Sequence, residues 1–257
     1  MVNSPFDSSQ YGRPRISFGA GPLTPGIKGI IFTCVGVYIL QWLVPGGWLE
    51  FYLGLSPRGL LGSYFLWQPV TYLFLHSTGS IFHLVFNMLM LWMFGGELER
   101  RWGTQSFLQY YFLCGAGAGL VSVAIDVLVG LFRSDGILLS DISTIGASGA
   151  VYGLLAAQAI LFPNRMLLVF LIFPMRMRIA VFLMAAITLW VAIGSANSST
   201  GTPINHVAHL GGMALGWAYL SKAWNPMRLW RNWRWKQKRK RYHVVSDIRD
   251  DDHHRFH

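Results

Sequence analysis

Three short fragments, far apart along the chain, carry residues that can do chemistry. They are His83 with Asn87, Ser148 between Gly146 and Gly149, and His209 followed by Gly212 and Gly216. Each lies at or inside a run apolar enough to cross a bilayer, where polar side chains are costly and mark a functional site by default. A serine and a histidine that meet there can act as nucleophile and base, and the reaction they suit is hydrolysis. His83 and Asn87 stand four residues apart, on one face of a helix, and can donate hydrogen bonds toward a common point. Each fragment also has a plain structural reading. His83 and Asn87 could be an interhelical pair worth about 0.6 kcal/mol, and Ser148 could be a helix cap. The functional reading of Ser148 uses the same helix start differently, because the unpaired N–H groups there can hold an oxyanion.

The elements that must position these residues are membrane helices. Hydrophobic residues make up 53% of the 257, and charged residues only 12%, about half the share of a soluble domain. Eleven Trp, ten Tyr and seventeen Phe suit interfacial belts and a packed bundle. Measured against the roughly 20 residues a crossing needs, the apolar runs predict six spans, at 26–44, 81–97, 106–131, 147–162, 178–194 and 205–222. The apolar stretch 166–173, bracketed by Pro163 and Pro174, reads as interfacial or as part of a bent connection. Gly149 and Gly153 form one small-residue face on the fourth span, and Gly212 and Gly216 another on the sixth. Two such faces let backbones approach closely, which would bring Ser148 within reach of His209.

Basic residues set the expected orientation. Arg13, Arg15 and Lys28, then Arg100 and Arg101, then Arg165, Arg176 and Arg178, alternate with connections that hold only Arg58, only Arg133, or no charge at all. Both termini are expected in the cytoplasm, and all three chemical fragments near the outer ends of their helices. Residues 1–25 read as a flexible cytoplasmic leader, 26–224 as the membrane domain, and 225–257 as a basic, aromatic cytoplasmic tail. In that tail Arg228, Arg231, Arg234, Lys236, Lys238, Arg239, Lys240 and Arg241 interleave with Trp230, Trp233 and Trp235. Directly after a span, such a tail is expected on anionic lipid headgroups rather than on nucleic acid. Cys34 and Cys114 read as small buried hydrophobes. His206, one turn before His209, lacks the ligands that would complete a zinc site, and no metal or cofactor is expected. His76 and Asp126 read as interfacial, with a minor reading in which Asp126 orients His209. Glu97, Glu99, Arg100 and Arg101 read as cytoplasmic ion pairs and helix-end contacts.

Taken together, the fragments resemble the rhomboid family of intramembrane serine proteases. Gly146-Ala147-Ser148-Gly149 is similar to its GxSG motif, Ala208-His209 with Gly212 and Gly216 to its AHxxGxxxG helix, and His83 with Asn87 to its HxxxN motif. Tyr152 matches the tyrosine that packs on the catalytic histidine, and 67–75 the outer-leaflet part of the first loop. The resemblance implies an all-α bundle of six transmembrane helices. It implies Ser148 as nucleophile and His209 as base, with His83, Asn87 and the Ser148 N–H holding the oxyanion. Gly146, Gly149, Tyr152, Gly212 and Gly216 would support them. The implied substrates are single-span membrane proteins cut near the outer leaflet, and a prokaryotic inner membrane is the expected location. A catalytically inactive rhomboid-like protein that binds membrane clients is the alternative, although such relatives usually lack the serine or the histidine. A transporter would be expected to show internal repeats and paired intramembrane charges.

Overall fold

The computed structural model describes residues 21–132, 139–169, 173–196 and 203–221. Most of the expected leader and the basic tail lie outside these residues. The chain divides into two units, Met1–Trp217 and Ala218–His257, and the fold described below is that of the first.

The chain enters helix α1, Pro25–Leu43, with proline in the first turn, where its missing N–H costs nothing. A short helix α2, Trp48–Leu53, and a π-turn at Arg58–Gly62 follow. Helix α3, Gln68–Thr71, runs into a 3₁₀ turn at Tyr72–Phe74. Helix α4, Ile81–Met90, continues through a π-turn at Leu91–Gly95 into α5, Gly96–Trp102. Then come α6, Thr104–Gly130, and α7, Ser148–Leu161. The strands β1, Met166–Val169, and β2, Phe173–Arg176, pair antiparallel. Helices α8, Met177–Ala196, and α9, Pro203–Ser221, complete the described chain.

Among the described residues, six helical stretches therefore stand where six spans were predicted, and the two ends of the apolar stretch 166–173 lie on the paired strands β1 and β2. Four stretches among the described residues are long and apolar enough to cross a membrane: Pro25–Leu43, Ile81–Trp102, Thr104–Gly130 and Met177–Gly194. The second runs on past its predicted end at 97 because Glu99 has partners. Its carboxylate accepts the N–H groups of Gly26 (2.7 Å) and Ile27 (3.1 Å), the Thr104 hydroxyl (2.7 Å) and the Thr24 hydroxyl. Glu99 is thus buried, and satisfies donors that the start of α1 would otherwise leave open. Glu97 makes the expected ion pair, with Arg165.

Helix α7 is only 14 residues long. Gly149, Ala150, Val151, Gly153, Leu154, Leu155, Ala156, Ala157 and Gln158 are all buried, so its small and apolar sides face protein nearly all round. Gln158, buried within it, donates to the Phe94 carbonyl at 2.7 Å. On α6 the buried residues recur at helical spacing, from Phe107 through Tyr110, Cys114, Ala118 and Ser122 to Asp126. That period carries Asp126 onto the inward face, so it is buried rather than interfacial. Cys34 and Cys114 are buried free thiols.

Candidate active site

Glycines set the separation between α7 and α9. A Cβ on Gly212 would strike the carbonyl oxygen of Gly149, and one on Gly216 would lie 3.0 Å from the carbonyl oxygen of Gly153. Contact of this kind requires residues without side chains on both helices. From α6, Tyr110 donates to that same Gly153 carbonyl at 2.8 Å. One turn before Gly212, His209 Nε2 lies 2.6 Å from Ser148 Oγ. Both residues are half-buried, so the pair is packed yet still reachable.

Ser148 is the first residue of α7, and Ala147 occupies the cap position. The serine hydroxyl therefore faces the imidazole rather than capping its own helix. The segment leading in is fixed by its backbone. Leu55 and Thr144 exchange N–H···O bonds of 3.0 and 2.8 Å, and the Gly146 N–H donates to the Tyr72 carbonyl at 2.9 Å. Gly146 has φ +116, a conformation that side chains other than hydrogen rarely adopt. A Cβ there would also meet His83 Nε2 at 3.0 Å and Cε1 at 2.9 Å, so the glycine lets the ring of His83 lie against the backbone two residues before Ser148.

Asn87, buried on α4, donates to the His83 carbonyl at 2.7 Å, so part of its donor capacity is spent within its own helix. Tyr152 lies flat on His209, with ring centroids 4.4 Å apart and planes 5° from parallel. Its hydroxyl reaches Thr188 Oγ1 on α8 at 3.0 Å, and Thr188 in turn donates to the Met184 carbonyl at 2.8 Å. With its proton committed to Met184, Thr188 accepts from the tyrosine. Thr188→Val is therefore expected to destabilise the protein by about 1 kcal/mol, because the phenol loses its acceptor. Tyr152→Phe should cost less, since Thr188 keeps its own bond. Unfolding curves of the two variants in one detergent test this, and equal or inverted costs would contradict it.

His206 meets His209 edge-on at 6.0 Å. Among the described residues no group of three metal-ligating side chains is present. His76 departs from the interfacial reading. It is fully buried, with its ring 5.2 Å from that of His83. Burial above all, with His83 nearby, pulls its imidazole down to about 4. The cause of its burial is a backbone clamp from α1, in which Gln41 bonds both the N–H and the carbonyl of His76. The 67–75 segment has a buried side, with Gln68, Tyr72, Leu73 and Leu75, and an exposed one at Trp67 and Val70.

A family model described as a rhomboid domain matches residues 64–225, well over half of the chain. The chain belongs to the rhomboid family. Rhomboid protein 1, mitochondrial, of Saccharomyces cerevisiae is 29% identical over 216 residues, covering 78% of this chain and 56% of the relative. Rhomboid protease GlpG of Yersinia enterocolitica is 30% identical over 137 residues, covering 53% of this chain and 42% of the relative. The same-named protein of Serratia proteamaculans is 38% identical over 85 residues, or 33% and 28% of the two chains. This rhomboid thus spans about half the length, or less, of these curated relatives. With four long apolar helices among its described residues, it is an integral membrane protein.

Sequence reasoning singled out Ser148, His209, Tyr152 and the glycines, and the structure brings these together, with His83 against Gly146. It missed Thr188, Tyr110 and Tyr72, whose hydroxyls bond the Tyr152 phenol, the Gly153 carbonyl and, at 2.6 Å, the Gly115 carbonyl. Thr188 carried a weak signal, as a hydroxyl within an uncharged apolar run.

Proposed function

We propose that this rhomboid is a serine endopeptidase that cuts within membranes, with Ser148 as nucleophile and His209 as base. The single observation that carries the reading is the 2.6 Å contact between Ser148 Oγ and His209 Nε2, within hydrogen-bond reach for proton transfer. His209 takes the hydroxyl proton as Oγ attacks a peptide carbonyl, and returns it to the leaving amine. Water then releases the acyl group by the same relay. The negative oxygen formed on attack is held by the Ser148 N–H at the start of α7, by His83 and by Asn87, donors of a kind worth about 2.7–4 kcal/mol each. The Tyr152 ring holds the plane of the imidazole, and Gly146, Gly149, Gly212 and Gly216 give the backbones their close approach.

The substrates are single-span membrane proteins, cut near the outer leaflet where their helices weaken. A bilayer leaves a broken helix unsatisfied, and the half-buried dyad offers polar groups to an unwound segment. Both termini face the cytoplasm of a prokaryotic cell, residues 26–224 form the membrane domain, and the basic tail at 225–257 lies on anionic lipid. No cofactor takes part.

A fluorophosphonate probe tests the nucleophile directly: it should label the wild type and leave Ser148→Ala unmodified. A panel of tagged single-span proteins should be cut by the wild type and not by the variant. A folded wild type that neither labels nor cleaves would end the proposal and favour a client-binding protein.

A further inference from the structure

We infer that Gln41 and Glu50 are positioning residues for the reaction, fixing the hydrogen-bonding state of His83 through the backbone of His76 and Ser77. The inference rests on the proteolytic reading above. The Nδ1 of His83 accepts the backbone N–H of Ser77 at 3.1 Å. A neutral imidazole has one donor nitrogen and one acceptor. Occupying Nδ1 with a donor therefore places the proton on Nε2, the edge that lies against Gly146. Oxyanion stabilisation needs a donor at that edge. Were the Ser77 N–H to swing away, the ring would be free to adopt the other tautomer and present a lone pair to the developing negative charge.

The Ser77 N–H belongs to a connection with no helix or strand of its own, between the 3₁₀ turn at Tyr72–Phe74 and α4. Gln41, buried at the end of α1, holds that connection. Its Nε2 donates to the His76 carbonyl at 3.0 Å, and its Oε1 accepts the His76 N–H at 3.1 Å. Nε2 also donates to Glu50 Oε1 on α2 at 2.6 Å. A carbonyl and a carboxylate can only accept, so the orientation of the amide is set by its partners. The His76 carbonyl that Gln41 grips is part of the same peptide unit as the Ser77 N–H. Peptide planarity thus passes the grip of Gln41 directly to the donor on His83. The buried ring of His76 against that of His83 adds a packing contact to the same junction.

The test uses full-length protein in liposomes and whichever panel substrate the wild type cuts fastest, with Ser148→Ala as the blank. Gln41→Leu should lower kcat about tenfold, as expected for a misplaced catalytic group, and change KM less than twofold. In a His83→Ala background, itself about a hundredfold down, Gln41→Leu should cost nothing further, because its effect passes through His83. A purely structural role would cost the same in both backgrounds, and that outcome overturns the inference. Full activity of folded Gln41→Leu overturns it too. Glu50 is only half-buried, so Glu50→Ala remains informative even where Gln41→Leu does not fold. It should lower kcat about threefold by the same misplacement, and Glu50→Gln, whose amide oxygen still accepts from Gln41, should restore it. Unchanged kcat in Glu50→Ala counts against the inference. A wild type no more active than Ser148→Ala defeats the protease reading itself, and this inference with it.

Discussion

Ser148→Ala, His209→Ala and the double substitution are expected to share one floor of turnover, about 10⁴-fold or more below the wild type. The two side chains bond to each other across α7 and α9, and in the proposed mechanism neither has a catalytic use without the other. An alkoxide does not form at Ser148 unless the proton has somewhere to go, and an imidazole facing alanine has no proton to take. Residues that act as a unit give grossly non-additive losses. Initial cleavage rates for the four proteins measure this directly. A double variant well below both single variants would mean the residues act separately, and a His209→Ala protein with near-normal turnover would remove the base from the mechanism. Tyr152→Leu offers a finer view of the same unit. Loss of the stacked ring, now 4.4 Å from His209, should cost much less than loss of the base, because the Ser148 contact survives in part of the population.

The legible part of this site consists of side chains whose chemistry is out of place in hydrocarbon. Ser148, His209, His83 and Asn87 stood out because lipid penalises them, and the glycines because their four-residue spacing marks a helix contact. The six helices were legible for the same reason, since long uncharged runs admit few other readings. What stayed hidden acts through the backbone or through distance. The donor to His83 Nδ1 is a main-chain N–H, a group every residue but proline carries, so no residue type announces it. His76 looked interfacial because nothing local in sequence reveals the clamp from Gln41, 35 residues earlier. Glu99 does make the helix-end contacts expected of it, but its burial was not legible, because the N–H groups and hydroxyls that bond it come from the start of α1 and the start of α6. Gln41 itself carried a usable signal, as an uncharged polar side chain near the end of an apolar run. Composition alone could not separate a partner at the helix end from one deep in the fold.

Gly212→Ala should lower turnover about a hundredfold while Gly29→Ala, built in open space, leaves it unchanged. The added methyl at 212 meets the carbonyl oxygen, carbonyl carbon and Cα of Gly149, all of them backbone atoms that cannot rotate aside. Only a separation of α7 from α9 relieves that overlap. Gly149 follows Ser148 directly, and Gly212 lies one turn beyond His209, so the separation falls almost entirely on the 2.6 Å contact between them. A shift of 1 Å at a reacting pair is enough for a loss of that size. Gly211→Ala makes the sharper control on the same helix, because its new methyl meets the Val121 side chain at 3.1 Å and the Ala118 Cα only at 3.6 Å. Val121 can yield by a few tenths of an ångström without moving α7. Cleavage rates normalised to folded protein should therefore separate two neighbouring glycines by more than tenfold. Equal rates at 211 and 212 would show that the close approach of α7 and α9 is not what sets the distance between alcohol and imidazole.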